Sequence, residues 1–369
     1  MDEWTSRHSG IVDSHVHMGG IDQEAAMEQI RQACGLERIG LVSIQNPETG
    51  AGLPQSLYMK ARHPEHYFVF AGLNHATQRS GGRVRALPLE DQVDRFADIG
   101  CDGIKMIEGK PTSRQRMDIP VTDAYFARYW ARVEERGTPI VWHVNDPEEF
   151  WDPDRLPGWA KERNWGYGPG DVQKEQLYAE VDEVLARHPG LRIIFAHFYF
   201  LSADLPRAAR FLEAHPTVSF DLAPGIEMLY SISRDPDAGR DFLLRYADRI
   251  VFGTDLASGL SVEEGRCRAG IVFRWLETDD AFRVPAAADF LLGAPEDGLI
   301  RGLALPDDIL RRIYAGNFAR LVGAEPRPLD VGKAVERCQR LAAIAEELSG
   351  RPAGETEAGR VAESLAAAR

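Results

Sequence analysis

The stretch Ile11-Val-Asp-Ser-His-Val-His-Met18 decides the fold, because it combines the composition of a buried strand with two histidines at its end. Seven further short runs rich in β-branched or aromatic residues follow along the chain. They are 39–45, 67–74, 103–108, 139–145, 192–198, 217–223 and 250–256. A helix-length amphipathic segment separates each run from the next, which is typical of alternating strands and helices.

The spacing of these eight runs predicts how the strands close. The runs start about every 34 residues, a length that suits one strand, one helix and two loops. Eight such units predict the α/β fold class and, within it, a (β/α)₈ TIM barrel. In such a barrel the carboxyl ends of all strands meet at one face, where catalytic residues lie.

Two stretches interrupt the repeat. Residues 146–170 are rich in Pro, Gly and Trp, and this composition predicts a long loop after the fifth strand. We expect the loop to form a lid or pocket wall. Residues 257–305 predict an insertion after the eighth strand, with an extra helix over 262–276. We expect one barrel domain over 1–325, followed at 326–369 by a helical tail that packs on the barrel or on a partner subunit.

Composition excludes several classes of partner. The 369 residues carry a formal net charge of −14 without local basic runs, which argues against nucleic acid as a partner. Apolar runs are strand-sized and the first ten residues are polar, so we expect no membrane span, no secretory signal and a cytoplasmic location. The four cysteines occur singly without a CxxC pair, so a metal must be held by histidine and carboxylate.

The ten histidines separate into groups by position. His63, His188 and His215 each precede a proline at a predicted helix end, where an imidazole can face the last carbonyl groups. By contrast, four histidines fall at the carboxyl ends of predicted strands and are expected at the barrel mouth. These four are His15, His17, His143 and His197.

The spacing of His15 and His17 predicts a metal site. Residues two apart on a strand project to the same side, so both imidazoles can bind one cation. Asp255 ends the eighth run in the sequence Phe-Gly-Thr-Asp and lies beside the first strand once the barrel closes. The alternative is a pair of surface histidines and an aspartate that caps a helix. The coincidence with His143 and His197 favours the metal site.

These motifs together resemble the amidohydrolase superfamily, and within it the amidohydrolase-2 branch, over about residues 10–323. The resemblance rests on Asp13-x-His15-x-His17, His143, Ala-His197-Phe, Gly253-Thr-Asp255 and Ile313-Tyr-x-Gly-Asn-Phe318. It implies that His15, His17, His143 and Asp255 bind one divalent metal ion. It also implies that His197 is a further ligand or contacts the metal-bound water, and that Asp255 transfers the proton, which makes these two the expected catalytic residues.

The chemistry of the ligands leaves the metal open. Three imidazoles and a carboxylate suit Zn²⁺, which we expect, and also Mn²⁺ or Fe²⁺. Lys105 lies on the fourth strand, where binuclear members of the superfamily carry a lysine carbamate that bridges two metals. We expect Lys105 to act chiefly as a cation, because an unpaired buried ammonium is costly and an anionic partner stabilises it.

Four residues are predicted to bind substrate. Lys105 supplies a cation, and Trp151 in the loop after the fifth strand supplies an aromatic wall. Tyr199 follows His197, and His75 lies just past the third strand at the same face. The tryptophans around Trp151 suggest a flat ring as the substrate.

The reaction remains open between two classes. The leading hypothesis is a metal-dependent hydrolase that acts on an amide, ester or lactone of a small anionic or ring-containing substrate. The alternative is a metal-dependent decarboxylase of an aromatic or unsaturated acid, which needs the same ligands. A non-catalytic barrel is a third hypothesis, disfavoured because the full ligand set is present. We also expect a homo-oligomer, a dimer.

Overall fold

The chain folds into the predicted α/β barrel. The computed structural model describes residues 4–225, 227–285 and 298–367. Neighbouring strands of the main sheet are parallel and follow one another in chain order. They are β1 Ile11–His17, β2 Leu36–Val42, β3 Tyr67–Gly72, β4 Gly103–Gly109, β5 Ile140–Val144, β6 Ile193–Phe195, β7 Val218–Asp221, β8 Ile250–Val251 and β9 Leu256–Ala257.

The eighth predicted run closes the barrel in two parts. Its first part, β8, pairs with β7 through Asp221 and Val251, and its second part, β9, pairs with β1 through Val16 and Leu256. Between them, the amide of Asp255 donates a hydrogen bond to the His15 carbonyl at 2.9 Å. The last strand therefore joins the first, as the prediction of a closed barrel requires.

Helices cover the outside of the sheet and lie between successive strands. In chain order they are α1 Glu24–Ala33, α2 Leu53–Arg62, α3 Ala76–Arg79, α4 Leu89–Ile99, α5 Pro111–Met117, α6 Ala124–Arg136, α7 Gly158–Glu162, α8 Lys174–Arg187, α9 Leu205–Ala214, α10 Met228–Ser233, α11 Pro236–Arg245, α12 Val262–Glu277, α13 Asp307–Arg311, α14 Asn317–Leu321, α15 Val331–Ser349 and α16 Glu357–Ala367. As predicted from the His-Pro pairs, His63, His188 and His215 are the C-cap residues of α2, α8 and α9.

The predicted insertion after the eighth strand contains α12 and an antiparallel hairpin. The hairpin pairs β10 (Ala281–Arg283) with β11 (Leu299–Arg301). Residues 286–297 of the predicted insertion lie outside the described part of the chain. Within the described ranges, no helix is long and apolar enough to cross a membrane.

Two apolar layers stabilise the barrel. Phe68, Phe70 and Val141 belong to a cluster whose members come from strands around the whole sheet, so this cluster fills the interior. Phe318 of α14 closes it, with its ring centroid 4.9 Å from that of Phe68. A larger cluster lies between strands and helices, and it includes Trp142, which is fully buried.

The C-terminal tail packs on the barrel. Ile344 of α15 lies in a small apolar cluster with Ala76 and Val84, from the segment after β3. The amide of Glu357, at the start of α16, donates to the carbonyl of Thr49 at 3.0 Å. The tail thus covers the side of the barrel near β2 and β3.

Candidate active site

Three of the predicted metal ligands meet at the mouth of the barrel. The Nε2 atoms of His15 and His17 lie 3.6 and 3.1 Å from Oδ1 of Asp255. One donor atom from each of the three residues lies within 4.8 Å of the others. The contact follows from the topology, because Asp255 immediately precedes β9 and β9 pairs with the histidine-bearing end of β1.

The protonation of this cluster suits a divalent cation. Asp221 accepts a hydrogen bond from Nδ1 of His15 at 2.8 Å, which leaves the Nε2 lone pair available. Burial, followed by the Lys105 cation, holds the pKa of His15 well below its usual value. Burial alone would raise the pKa of Asp255, but the hydrogen bond from His17 and the nearby imidazoles outweigh it and lower that pKa. A neutral imidazole and an ionised carboxylate are what Zn²⁺ or Mn²⁺ requires.

Asp13 holds the two ligand-bearing strands together. Its Oδ1 accepts hydrogen bonds from the amides of His15 and Thr254 at 3.0 and 3.2 Å, and the Thr254 hydroxyl donates to its other oxygen. Burial raises the pKa of Asp13 to about 7, although these hydrogen bonds oppose the shift. The first residue of the Asp-x-His-x-His motif therefore links the backbone of His15 to that of Thr254, next to Asp255, and lies outside the candidate metal cluster.

His143 and His197 form a second imidazole pair beside the cluster. Nε2 of His197 lies 3.1 Å from Nδ1 of His143, and the His197 ring centroid is 5.1 Å from that of His15. The other nitrogen of His143 lies 2.9 Å from the carbonyl oxygen of Asn145. Burial, and then the Lys110 cation, lowers the pKa of His143 to about 4. His143 is thus neutral, but it lies outside the group formed by His15, His17 and Asp255. Its role as a metal ligand stays a prediction.

Lys105 lies against the cluster, as its position on β4 predicted. Its side chain is 2% exposed, and Nζ lies 3.2 Å from Nε2 of His15. Burial lowers the pKa of Lys105 to about 8, while the carboxylates of Asp221 and Asp255 oppose the shift. A positive charge next to the ligand atoms can neutralise an anionic group of a substrate.

A cavity extends outward from Lys105. His75 and Glu108 line its buried end, and the two side chains meet at 2.7 Å between Nε2 and Oε1. The other ring nitrogen of His75 lies 2.9 Å from the Tyr125 hydroxyl. Both ring nitrogens of His75 already have partners in the protein, so its contact with substrate stays a prediction. The contact between His75 and Glu108 orients the Glu108 carboxylate.

Comparison with known proteins identifies the family. The model of the amidohydrolase family matches residues 12–324, close to the range expected from the motifs. The chain belongs to the amidohydrolase family. A comparison with curated proteins gave no significant match.

Solved structures share the fold of this amidohydrolase at low sequence identity. An amidohydrolase II is 12% identical, with 85% of this chain and 99% of that chain covered and a TM-score of 0.52. A 2,6-dihydroxybenzoate decarboxylase with bound 2,6-dihydroxybenzoate is 14% identical, with 85% and 99% covered and a TM-score of 0.51. A dihydroxybenzoic acid decarboxylase from Polaromonas sp., with bound manganese and 2-nitroresorcinol, is 12% identical, with 85% and 97% covered and a TM-score of 0.50.

The amidohydrolase departs from the predicted sixth strand just before His197. β6 ends at Phe195, and the residues from His197 to Phe200 adopt left-handed φ angles between 51° and 57°. Such a turn costs roughly 1–2 kcal/mol per non-glycine residue. Hydrogen bonds offset part of this cost, since the amide of His197 donates to Asp221 at 2.7 Å and the Tyr178 hydroxyl donates to the carbonyl of Tyr199 at 3.0 Å.

This turn also corrects the position of Tyr199. In an extended strand His197 and Tyr199 would point to the same side, but the left-handed turn separates them. The Tyr199 ring packs against Phe195 and Phe211, with centroids 4.3 and 4.7 Å away, and its side chain is 1% exposed. Tyr199 therefore belongs to the core between sheet and helices, and the expectation that it contacts substrate was wrong.

The loop after β5 has a small aromatic core of its own. Phe150 and Tyr167 are buried there, and Trp151 packs on Tyr167 with the ring centroids 4.7 Å apart. Trp151 also lines a second cavity together with Phe200. The Phe200 ring separates this cavity from the imidazole pair, at centroid distances of 5.5 Å from His143 and 5.3 Å from His197. A role for Trp151 in substrate binding stays a prediction.

Two carboxylates at the mouth are absent from the residues predicted from sequence. Asp221 ends β7 and is fully buried, and it binds His15 and the backbone of His197. Glu227 follows the same strand, and neither of its buried carboxylate oxygens has a hydrogen-bond partner in the described part of the chain. Burial raises the pKa of Glu227 to about 7, against the effect of Lys174. The signal available in the sequence was an acidic residue at or just after the carboxyl end of a barrel strand.

Proposed function

We propose that this amidohydrolase is a metal-dependent hydrolase that cleaves an amide, ester or lactone of a small anionic substrate. The observation that carries the proposal is the position of the Asp255 carboxylate, which lies against Nε2 of both His15 and His17. A carboxylate in this position can accept a proton from a water molecule that attacks a carbonyl carbon.

His15, His17 and Asp255 would hold the cation, with His143 and His197 close by. We propose Zn²⁺, with Mn²⁺ or Fe²⁺ as alternatives, because imidazole and carboxylate ligands suit all three. When bound, the cation supplies a Lewis acid that polarises a carbonyl group and lowers the pKa of water.

The side chains of the protein supply the remaining steps. Asp255 accepts the proton of the attacking water and returns it to the leaving group as the carbonyl–heteroatom bond breaks. His197, whose backbone amide donates to Asp221, would hydrogen-bond the reacting oxygen. Lys105 neutralises negative charge on the substrate next to His15.

Decarboxylation is the second candidate, and the position of Lys105 favours it. An ammonium 3.2 Å from a ligand nitrogen can bind the carboxylate that is lost as CO₂. Two of the structures with this fold are decarboxylases of dihydroxybenzoic acids. In this reaction Asp255 or His197 would deliver a proton to the carbon that loses CO₂.

One experiment separates the two reactions. The Zn²⁺ and Mn²⁺ forms are incubated with a panel of lactones, amides, esters and hydroxybenzoates, while acid release and CO₂ are monitored in parallel. Acid release without CO₂ supports hydrolysis. Evolution of CO₂ without a hydrolytic product would replace the hydrolase with the decarboxylase. The metal-stripped protein is the control for reactions that occur without the enzyme.

A further inference from the structure

Two arginines from different loops reach the cavity above Lys105. Arg79 ends α3, in the segment after β3, and Arg116 lies in α5, after β4. Both line this cavity, and both residues are exposed, whereas Lys105 at the other end is buried. The cavity therefore runs from Lys105, whose Nζ lies 3.2 Å from Nε2 of His15, to two guanidinium groups at its solvent side.

Within the described ranges of the chain, both guanidinium groups lack a protein partner. Among the described residues, neither Arg79 nor Arg116 makes a side-chain hydrogen bond or a salt bridge. Burial, and then the charge of Arg116, lowers the pKa of Arg79, while Glu48 opposes the shift from a distance. Two like charges that face one cavity repel each other, so an anion between them would relieve this repulsion.

The rest of the cavity wall adds to the excess of positive charge. Lys105 contributes a third cation, and the carboxylate of Glu108 is already engaged by His75 and by the amide of Ile107, at 2.7 and 2.8 Å. Because both Glu108 oxygens have partners, this carboxylate does not bind either guanidinium. The positive charges of Arg79, Arg116 and Lys105 therefore exceed the single negative charge that Glu108 contributes to the cavity wall.

Gln45 provides an independent sign of a missing hydrogen-bond acceptor. It lines the same cavity, and its Nε2 is buried without a hydrogen-bond partner in the part of the chain that the structure describes. An unsatisfied buried amide costs free energy that a bound acceptor recovers. The two arginines and this amide would all be satisfied by a ligand that carries anionic oxygens.

We propose that Arg79 and Arg116 form a subsite for a carboxylate of the substrate that lies away from the reacting group. Guanidinium groups bind carboxylates through paired, charge-assisted hydrogen bonds, and the nearby Gln45 amide can donate a further one. The proposal deepens the proposed function and rests on it for the position of the reacting group. It identifies the substrate class as small acids with two anionic groups, one near Lys105 and one between the arginines.

Calorimetric titration of the zinc-loaded protein tests the subsite without measuring turnover. The probes are benzene-1,3-dicarboxylate and benzoate, which differ by one carboxylate. We expect the wild-type protein to bind the dicarboxylate at least about tenfold more tightly. In the double variant Arg79→Gln/Arg116→Gln this preference should fall to about twofold or less. Arg311→Gln, which changes an exposed arginine of α13, is the matched control and should keep the preference.

Two results would overturn the subsite: equal binding of both probes by the wild-type protein, or an unchanged preference in a folded double variant. Circular dichroism checks the fold of each variant. Failure of the subsite and failure of the proposed function give different results. If the preference depends on the arginines but no panel substrate is turned over, the proposed reaction fails and the subsite stands. If turnover is found but the preference is unaffected by the substitutions, the subsite fails and the reaction stands.

Discussion

The carboxylate of Asp221 binds His15 through a hydrogen bond of 2.8 Å between Oδ2 and Nδ1. Its other oxygen accepts the backbone amide of His197 at 2.7 Å. One buried side chain at the end of β7 therefore orients residues from the first strand and from the turn after the sixth. Partners of this kind fix the tautomer and the ring orientation of metal-binding histidines.

We expect Asp221→Asn to weaken metal binding by about 10- to 100-fold, because the amide cannot replace both hydrogen bonds of the carboxylate. Zn²⁺ affinity is measured by competition with a chelator. Asp102→Asn is the matched control: it changes another buried aspartate, which pairs with Lys60, and it should lower stability without affecting the metal. Wild-type affinity in Asp221→Asn would show that this carboxylate does not prepare His15 for metal.

Asp255→Asn should reduce kcat by about 10²- to 10⁴-fold if the residue transfers the proton, and by more if metal is also lost. Metal content is measured on the same samples, so that loss of the cation and loss of the base are distinguished. The exposed residue Asp118 offers a control, since Asp118→Asn should leave kcat unchanged. Full activity of Asp255→Asn with metal bound would mean that another residue is the base.

Tyr178→Phe should destabilise the left-handed turn after β6, because its hydroxyl donates to the carbonyls of Tyr199 and Phe200. We expect a loss of about 1 kcal/mol in the free energy of unfolding and a lower kcat, since the turn places His197. Tyr129→Phe is the control: that hydroxyl is buried without a partner among the described residues, so its removal should be neutral or stabilising. Equal effects of the two substitutions in urea unfolding would contradict a role for Tyr178 in holding the turn.

Glu227 should make stability depend on pH. Its pKa is raised to about 7 in the folded state, above the ordinary value near 4.5, so folding favours the protonated form. The stability that it contributes is present below pH 4.5 and is lost as pH rises through 7. Glu227→Gln should therefore stabilise the protein at pH 8, on the order of 1–3 kcal/mol, but not at pH 4.5.

Urea unfolding at the two pH values measures this effect. The exposed residue Glu325 is the control, and Glu325→Gln should change stability equally at both pH values. A Glu227→Gln variant without a pH-dependent difference from the wild type would show that the carboxylate has a partner when the protein is in solution.

Much of the site follows from local sequence because strand periodicity and barrel topology act together. His15 and His17 share one end of β1, and Asp255 must lie beside them once the last strand pairs with the first. The position of Lys105 at the barrel mouth follows from the same topology, because it lies on β4. The position of the Tyr199 side chain does not, because its direction depends on a left-handed turn that sequence spacing does not reveal.

The partners of the site residues also depend on contacts between distant segments. Asp221 meets His15 across 206 positions of sequence. Arg79 and Arg116 line one cavity only because the loops after β3 and β4 are neighbours in the barrel. The same applies to His143, whose imidazole lies against His197 and the Asn145 carbonyl and outside the group formed by His15, His17 and Asp255.

By itself the sequence determined the barrel, the family and the strand ends at which His15, His17 and Asp255 lie, because these depend on periodic patterns and motifs within short segments. Only the tertiary structure decided which side chains share a hydrogen bond, which are buried without a partner and which charges face one cavity. Such properties depend on distances and solvent exclusion between segments far apart in the chain. Burial then sets the protonation of each group, and with it the chemistry that the site can perform.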